Sequence, residues 1–238
     1  MSEIVSKMTQ FPSDGAQMNA YAACPKGPGP YPTLIVIHEN IGLDEKNPQA
    51  GPHIKNVCDR FAREGYATLA VDLFSRGQGA ADLYDSQVEK DLAAAYNFLA
   101  AQQNVKKDRV GVIGYCMGGR YALLTACNNP KIAACAVYYG QPFNKQCDEK
   151  KPQHAIHWVP NLPCPILGIF GNEDHVISLE QVVQFKAELE KQGKKAEIHQ
   201  YPGAKHAFFN DTKENYHPEA AKDAWQKTLA FFARTLKA

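Results

Sequence analysis

The chain has little net charge and lacks the residue patterns of several specialised protein classes. It carries 26 basic and 25 acidic residues among 238, a formal net charge of +1. No excess of charge therefore favours a nucleic acid or an anionic membrane surface as partner. No Cys-x-x-Cys pair occurs, and no histidine–carboxylate cluster has the spacing of metal ligands. We expect neither a bound metal nor another cofactor.

Long apolar runs, repeats and linkers are missing as well. No stretch of about 18 apolar residues is present to span a membrane, and the first residues show no basic region followed by an apolar stretch. We therefore expect a cytoplasmic protein. No repeat or low-complexity tract divides the chain, so residues 1–238 are expected to form a single domain. The oligomeric state is left open between a monomer and a small homo-oligomer.

Short β-branched apolar runs alternate along the chain with segments of helical period. Strands are predicted at residues 33–37, 67–71, 109–114, 132–139, 165–170 and 196–201, and a loop rich in Asn, Gly and Pro follows the first. Helices are predicted at residues 53–64, 86–102, 117–127, 179–191 and in a terminal segment that runs to residue 236. This alternation is typical of the α/β class, a mostly parallel central sheet with helices on both faces. The polar stretch 141–163 is either a cap insertion over the site or a surface insertion without a chemical role.

The most informative segment, residues 112–120, reads Val-Ile-Gly-Tyr-Cys-Met-Gly-Gly-Arg. It predicts a strand, a Gly-x-Cys-x-Gly turn and the start of a helix, which is the layout of a nucleophile elbow. The presented side chain is Cys116, and a position at a helix N-terminus favours its thiolate. The backbone N–H of Met117 and one near Asn40, after the first predicted strand, are the expected donors to an oxyanion. A buried cysteine that merely packs in a glycine-rich turn is the alternative.

Titratable residues also follow other predicted strands, at the edge where open α/β sheets place their sites. The chain order nucleophile, acid, histidine is satisfied by Cys116, Asp174 and His206. His206 would exchange a proton with the thiol, or pair with the thiolate. Asp174, preferred by position over Glu173, would orient the imidazole.

In these segments the chain resembles the dienelactone hydrolase family, also called carboxymethylenebutenolidases, of the α/β-hydrolase superfamily. The resemblance rests on six segments in the family's order, at residues 38–42, 72–76, 114–119, 138–140, 171–174 and 203–208. It implies an α/β-hydrolase fold and a triad of Cys116, His206 and Asp174 that hydrolyses a lactone or small ester without a cofactor. It also implies that Glu39 contacts the resting thiol and helps to deprotonate it when substrate arrives.

The resemblance further implies contacts to the substrate. It assigns Arg76 to the carboxylate of a lactone substrate, because a guanidinium matches a carboxylate with two parallel hydrogen bonds, and it places Tyr139 among the substrate-binding residues. A second carboxylate-binding arginine of the family falls at Asn210, which has no charge. Losing one such contact costs on the order of 1.5–3 kcal/mol of binding. Arg120 and Lys205 are the candidates to compensate, and the substrate itself is left open.

Three functional interpretations are open on the residues alone. The favoured one is a hydrolase of lactones or small esters in which Cys116 attacks the carbonyl carbon. A thioesterase or another acyl hydrolase would use the same site on a different bond. A ligand-binding or thiol-sensing protein on a hydrolase scaffold would show modification of Cys116 without turnover. The resting state of the thiol is also open, because Glu39 and the dipole of the following helix act in opposite directions.

Overall fold

The computed structural model describes residues 3–43 and 51–238, so residues 44–50 of the predicted loop lie outside the described part. Within that part, eight strands form one sheet: β1 Ile4–Ser13, β2 Ala16–Pro25, β3 Tyr31–Ile37, β4 Ala67–Val71, β5 Val105–Tyr115, β6 Ile132–Tyr138, β7 Ile166–Gly171 and β8 Ala196–Tyr201. Their spatial order is β1-β2-β4-β3-β5-β6-β7-β8. The pairs β1–β2 and β2–β4 are antiparallel, and the other pairs are parallel. The prediction of a mostly parallel sheet is confirmed.

Helices cover both faces of this sheet. The described α-helices are α1 Gly51–Arg63, α2 Asp85–Ala100, α3 Met117–Asn128, α4 Leu179–Lys191 and α5 Pro218–Phe232. Helix α1 connects β3 to β4 in one direction across the sheet, and α2 connects β4 to β5 in the other. Because such crossovers are right-handed, α1 and α2 lie on opposite faces. No helix of the described residues is both long enough and apolar enough to cross a membrane.

Strands β1 and β2 form an N-terminal hairpin that the sequence analysis did not predict. Its turn residues Asp14 and Gly15 have φ angles of 42° and 77°, the left-handed conformation that Asp-Gly adopts in two-residue hairpins. The Asp14-Gly15 dipeptide is the feature of the sequence that could have indicated this hairpin. Strand β1 lies at the edge of the sheet with most residues exposed, so it lacks the apolar run by which the buried strands are recognised.

The central strands are buried on both faces, and this burial positions the site. Side chains 34–37 of β3 and all of β4 are buried, and each large apolar side chain so buried stabilises the fold by about 1.5–3 kcal/mol. The polar residues follow where these strands end. Since β3 to β8 run in parallel, their carboxyl ends meet at one edge of the sheet.

Residues 141–163 pack against helices α3 and α4 rather than forming a separate unit. They contain a short 3-10 helix, Ala155–Asn161, which contacts α3 and α4 and buries Val159. Arg120 of α3 donates from Nε to Asn144 Oδ1 at 3.0 Å. This segment is therefore fastened to the helix that follows Cys116, and its role as a cap stays a prediction.

Candidate active site

Cys116 lies between β5 and α3 in a backbone conformation that L-residues rarely adopt, with φ 53° and ψ −118°. Its N–H donates to the carbonyl of Tyr138 at 3.0 Å. Glycines permit the crossing of strand and helix: a Cβ on Gly114 would lie 1.9 Å from the Gly118 carbonyl oxygen, and one on Gly118 would lie 2.3 Å from that of Ile37. Such a backbone costs about 1–3 kcal/mol, and the close packing around it maintains it.

Three side chains from different strand ends meet at the sulfur. The Nε2 atom of His206 lies 3.1 Å from Cys116 Sγ, and its Nδ1 atom lies 2.8 Å from Asp174 Oδ2. The other oxygen, Oδ1, accepts the N–H groups of Val176 and Ile177 at 2.7 and 3.0 Å. The carboxylate is thus held by its own loop, and it turns the imidazole so that Nε2 faces the sulfur.

The electrostatics of this group favour a protonated imidazole. Burial disfavours the imidazolium, but the hydrogen bonds to Asp174 and Cys116 outweigh it and raise the pKa of His206 to about 9. An imidazolium against the sulfur and the N-terminus of α3 both stabilise a thiolate. By contrast, burial without such a partner raises the pKa of Cys58 to about 12. The arrangement therefore places a protonated imidazole against the Cys116 sulfur.

The expected oxyanion donors lie at the same edge of the sheet. Met117 is the first residue of α3, so its N–H has no acceptor within the helix, and it directly follows the thiol. Asn40 is exposed in the turn just after Glu39. Because β3 and β5 are parallel neighbours, both positions stand at adjacent strand ends.

Glu39 is buried at the end of β3, where its side chain is 1% exposed. Asn210 Nδ2 and Lys213 Nζ lie 2.8 and 2.9 Å from its Oε2, and the Tyr139 hydroxyl donates to Oε1 at 3.4 Å. Within the described part of the chain, the thiol is hydrogen-bonded to the imidazole, whereas the carboxylate is hydrogen-bonded to Asn210 and Tyr139 and paired with Lys213. The structure therefore does not bring Glu39 into the resting contact with the thiol that the resemblance implies.

His38 fixes the backbone that carries Glu39. Its Nε2 accepts the N–H of Leu73 at 3.0 Å, so its Nδ1 carries the proton and donates to the Glu39 carbonyl at 2.5 Å. Burial lowers the pKa of His38, which keeps the ring neutral. The ring thereby ties the end of β3 to the loop after β4.

The two positions that the resemblance assigns to a substrate carboxylate are engaged within the protein. Arg76 pairs with Asp91 through Nη2 and Nε, at 2.8 and 3.3 Å, and donates to two carbonyls of the β1–β2 turn. A guanidinium has five N–H donors, so at most one is left and a bidentate grip would require breaking this pair. Asn210 is fully buried and also accepts two hydrogen bonds from Thr212. Arg120, a candidate to compensate, is paired with a buried carboxylate.

Sequence reasoning missed two residues of the site. Lys213 pairs with Glu39, and Asn215 Nδ2 donates to the carbonyl of His206 at 3.1 Å. Both belong to the irregular segment between β8 and α5, which has no periodic pattern. A signal for Lys213 was available, since a carboxylate directly after a buried strand needs a cation or hydrogen-bond donors.

The chemistry open to this arrangement is nucleophilic. Within residues 3–43 and 51–238, no three His, Cys, Asp or Glu side chains are grouped so that they could hold a metal ion. The His175 ring, adjacent in sequence to the acid, lies 6.1 Å from that of His206. A thiolate, a proton-carrying imidazole and a helix N-terminus are together suited to acyl transfer.

Known proteins resemble this chain in sequence and in fold over nearly its whole length. A model of the dienelactone hydrolase family matches residues 18–236. A Salmonella typhimurium protein named "Putative carboxymethylenebutenolidase" is 34% identical over 246 residues, which cover 97% of this chain and 88% of that protein. An Escherichia coli protein of the same name is 34% identical over 244 residues, covering 96% and 87%. The crystal structure of a Klebsiella pneumoniae protein named "Putative Dienelactone Hydrolase" superposes with a TM-score of 0.90 at 34% identity, covering 98% of this chain and 99% of that one.

Proposed function

The chain belongs to the dienelactone hydrolase family, and from this premise we propose that it hydrolyses lactones or small carboxylic esters with Cys116 as nucleophile. The observation that carries the proposal is the bridge made by His206. Its two ring nitrogens lie 3.1 Å from Cys116 Sγ and 2.8 Å from Asp174 Oδ2. Nucleophile, base and orienting acid in this order are what attack on a carbonyl carbon requires.

In the first half-reaction the sulfur of Cys116 attacks the carbonyl carbon, and the carbonyl oxygen becomes negatively charged. The N–H of Met117 donates to that oxygen, and the backbone near Asn40 is the second donor. As the C–O bond breaks, His206 gives its Nε2 proton to the leaving oxygen. The acyl group is left on sulfur as a thioester, and with a lactone the new hydroxyl stays on the acyl chain.

In the second half-reaction water gives a proton to Nε2 of His206 and attacks the thioester carbon. The C–S bond breaks, the carboxylic acid leaves, and the thiolate–imidazolium pair is restored. Asp174 holds the imidazole orientation and stabilises its charge in both steps. The sum is ester plus water to acid plus alcohol, with no redox change.

Recognition of the substrate does not depend on a free carboxylate in this proposal. Arg76 is paired with Asp91, and Asn210 is bonded to Glu39, so neither side chain is free to bind a substrate carboxylate with two parallel hydrogen bonds. A neutral ester has no charge to desolvate at this site, whereas a substrate carboxylate would lose its hydration without gaining a matched cation. We therefore expect uncharged esters to react at least as well as a dienelactone.

The test is steady-state hydrolysis of a dienelactone and of an uncharged ester of similar size by the wild type and by Cys116→Ala. We expect the substitution to lower kcat/KM by about 10⁴-fold or more for both substrates. Cys147→Ala is the matched control, because the Cys147 sulfur also has an imidazole nearby, at 3.7 Å from His154 Nδ1. It should retain wild-type turnover.

Each other outcome has a distinct meaning. Wild-type turnover by Cys116→Ala would refute the nucleophile assignment. A chain-matched thioester that reacts far faster than the ester would indicate that the protein is a thioesterase. Stoichiometric modification of Cys116 without turnover of any of the three substrates would indicate a thiol sensor.

A further inference from the structure

The buried carboxylate of Glu39 is held by a set of contacts that nothing in the proposed reaction uses. Lys213 Nζ lies 2.9 Å from its Oε2, and Asn210 Nδ2 donates to the same oxygen at 2.8 Å. The orientation of Asn210 is fixed in turn, because its Oδ1 accepts the N–H and the O–H of Thr212 at 3.0 and 2.7 Å. The carboxylate is 1% exposed and the lysine side chain 29%. A charge so buried requires a cation and donors to compensate it.

Tyr139 connects this cluster to the imidazole that is hydrogen-bonded to the thiol. Tyr139 is fully buried, donates to Glu39 Oε1, and its ring centroid lies 5.3 Å from that of His206. Burial, followed by the negative charges of Glu39 and Cys116, raises the pKa of Tyr139 well above its usual value. The same buried ring thus contacts the Glu39 carboxylate and the imidazole that is hydrogen-bonded to the Cys116 sulfur. Two anions in such a poorly solvated region oppose each other unless one is neutralised.

We propose that Lys213 is a positioning residue of this site: its ammonium group neutralises Glu39 and holds it against Asn210, so that the buried carboxylate does not suppress the Cys116 thiolate. The inference rests on the proposed function in assuming that this thiolate is the reactive group. It gives Glu39 a role different from that of a base for the thiol. The carboxylate and the lysine act as a charge-balanced pair beside the nucleophile.

The other groups that face Glu39 do not supply the balancing charge. Among the described residues, the titratable groups that interact with Glu39 are His38, Tyr115, Tyr139 and Lys213. Burial lowers the pKa of His38 and raises the pKa of both tyrosines, so these three are uncharged near neutral pH. Lys213 is therefore the cation that the described residues place against the carboxylate.

The test is the pH dependence of Cys116 alkylation by iodoacetamide, followed on the peptide that contains Cys116 so that other thiols do not interfere. Lys213→Met leaves an uncompensated anion, so we expect the midpoint of the profile to rise by about one pH unit. Glu39→Gln leaves an uncompensated cation, so we expect the midpoint to fall by about as much. Lys213→Met combined with Glu39→Gln restores neutrality and should bring the midpoint back close to the wild-type value.

Two further variants guard against a purely structural explanation. Lys213→Arg keeps the charge and should keep the wild-type midpoint. Lys227→Met removes a lysine of similar exposure that pairs with Asp223 on α5, away from the site, and should not move it. If Lys213→Met does not fold, Glu39→Gln and the double variant still decide the question, because the double variant leaves no unpaired charge and Glu39→Gln leaves only that of the partly exposed Lys213.

The proposal is overturned if Glu39→Gln raises the midpoint, as expected of a carboxylate that deprotonates the thiol. It is also overturned if Lys213→Met leaves the midpoint unchanged. Alkylation needs no substrate, so this result stands apart from turnover. Wild-type turnover by Cys116→Ala would refute the proposed function, but it would not change what the alkylation profiles show about the balance of charge between Lys213 and Glu39.

Discussion

Helix α3 has two buried charged clusters near its first turn, and the two are built differently. One turn into the helix, Arg120 binds both oxygens of Asp85 at 2.6 and 2.8 Å. Further donors of its guanidinium reach Asn144 and the carbonyl of Gln153. The guanidinium also lies 4.6 Å from the ring centroid of Trp158. Both charges of this pair are fully compensated by fixed partners.

At the start of the same helix the Cys116 side chain has fewer partners. The described residues give the Cys116 sulfur one hydrogen-bond partner, His206 at 3.1 Å, and the backbone at the cysteine is strained. The N–H of Met117 next to it has no acceptor in the helix. A saturated ion pair stabilises the fold, whereas a strained cysteine with one hydrogen-bond partner is left available to react. Substitutions should therefore affect activity in one cluster and stability in the other.

The largest effect is expected from Asp174→Asn. The amide can still accept the N–H groups of Val176 and Ile177 through its oxygen, but it no longer favours the imidazole orientation and charge. We expect kcat/KM to fall by about 10²–10⁴-fold, with a melting temperature close to that of the wild type. Steady-state kinetics and thermal unfolding measure the two quantities. A kcat/KM within tenfold of the wild-type value would contradict the role of Asp174 in orienting His206.

The saturated cluster should respond in the opposite way. Arg120→Met leaves Asp85 buried without its cation, which should cost about 3–5 kcal/mol of unfolding free energy, measured by urea denaturation. Arg120→Met combined with Asp85→Leu removes both charges and should recover much of that loss. Activity per folded molecule should stay within about tenfold of the wild type. A stability loss below about 1 kcal/mol would show that this pair is not the structural one.

A smaller effect is expected from pH. The pKa of His206 is raised to about 9 in the folded protein, against about 6.5 in an unfolded chain. Its contribution to stability is therefore fully present below pH 6.5 and is lost as the pH rises through 9. Over the same range the imidazolium loses its proton, so we expect kcat/KM to decline above about pH 9. Parallel pH profiles of rate and melting temperature test this, and profiles that stay flat to pH 10 would contradict it.

Much of the fold could be predicted because buried parallel strands leave apolar runs in the sequence. Strand β4, helix α4 and strand β8 have the bounds that the residue pattern predicts. The hairpin of β1 and β2 could not be found in this way, since an edge strand is exposed and its apolar residues are few. Only the Asp14-Gly15 turn indicates it in the sequence.

The residues of the site also differ in whether a local sequence pattern indicates them. An elbow turn and the order of strand ends are local patterns, and they indicate Cys116, Asp174 and His206, which the structure brings within hydrogen-bond distance. The partners of Arg76 and Glu39 come from distant parts of the chain. Such pairings depend on how the loops pack, which no spacing in the sequence specifies.

Trapping the acyl group on the enzyme tests directly whether Cys116 is the nucleophile. The wild type is mixed with an excess of an activated ester, quenched in acid during the first turnovers, digested and analysed by mass spectrometry. We expect the mass of the acyl group on the peptide that contains Cys116, and no acylation and no turnover with Cys116→Ala. Continued turnover with no acyl group on Cys116, or by the alanine variant, would contradict the assignment of Cys116 as the nucleophile.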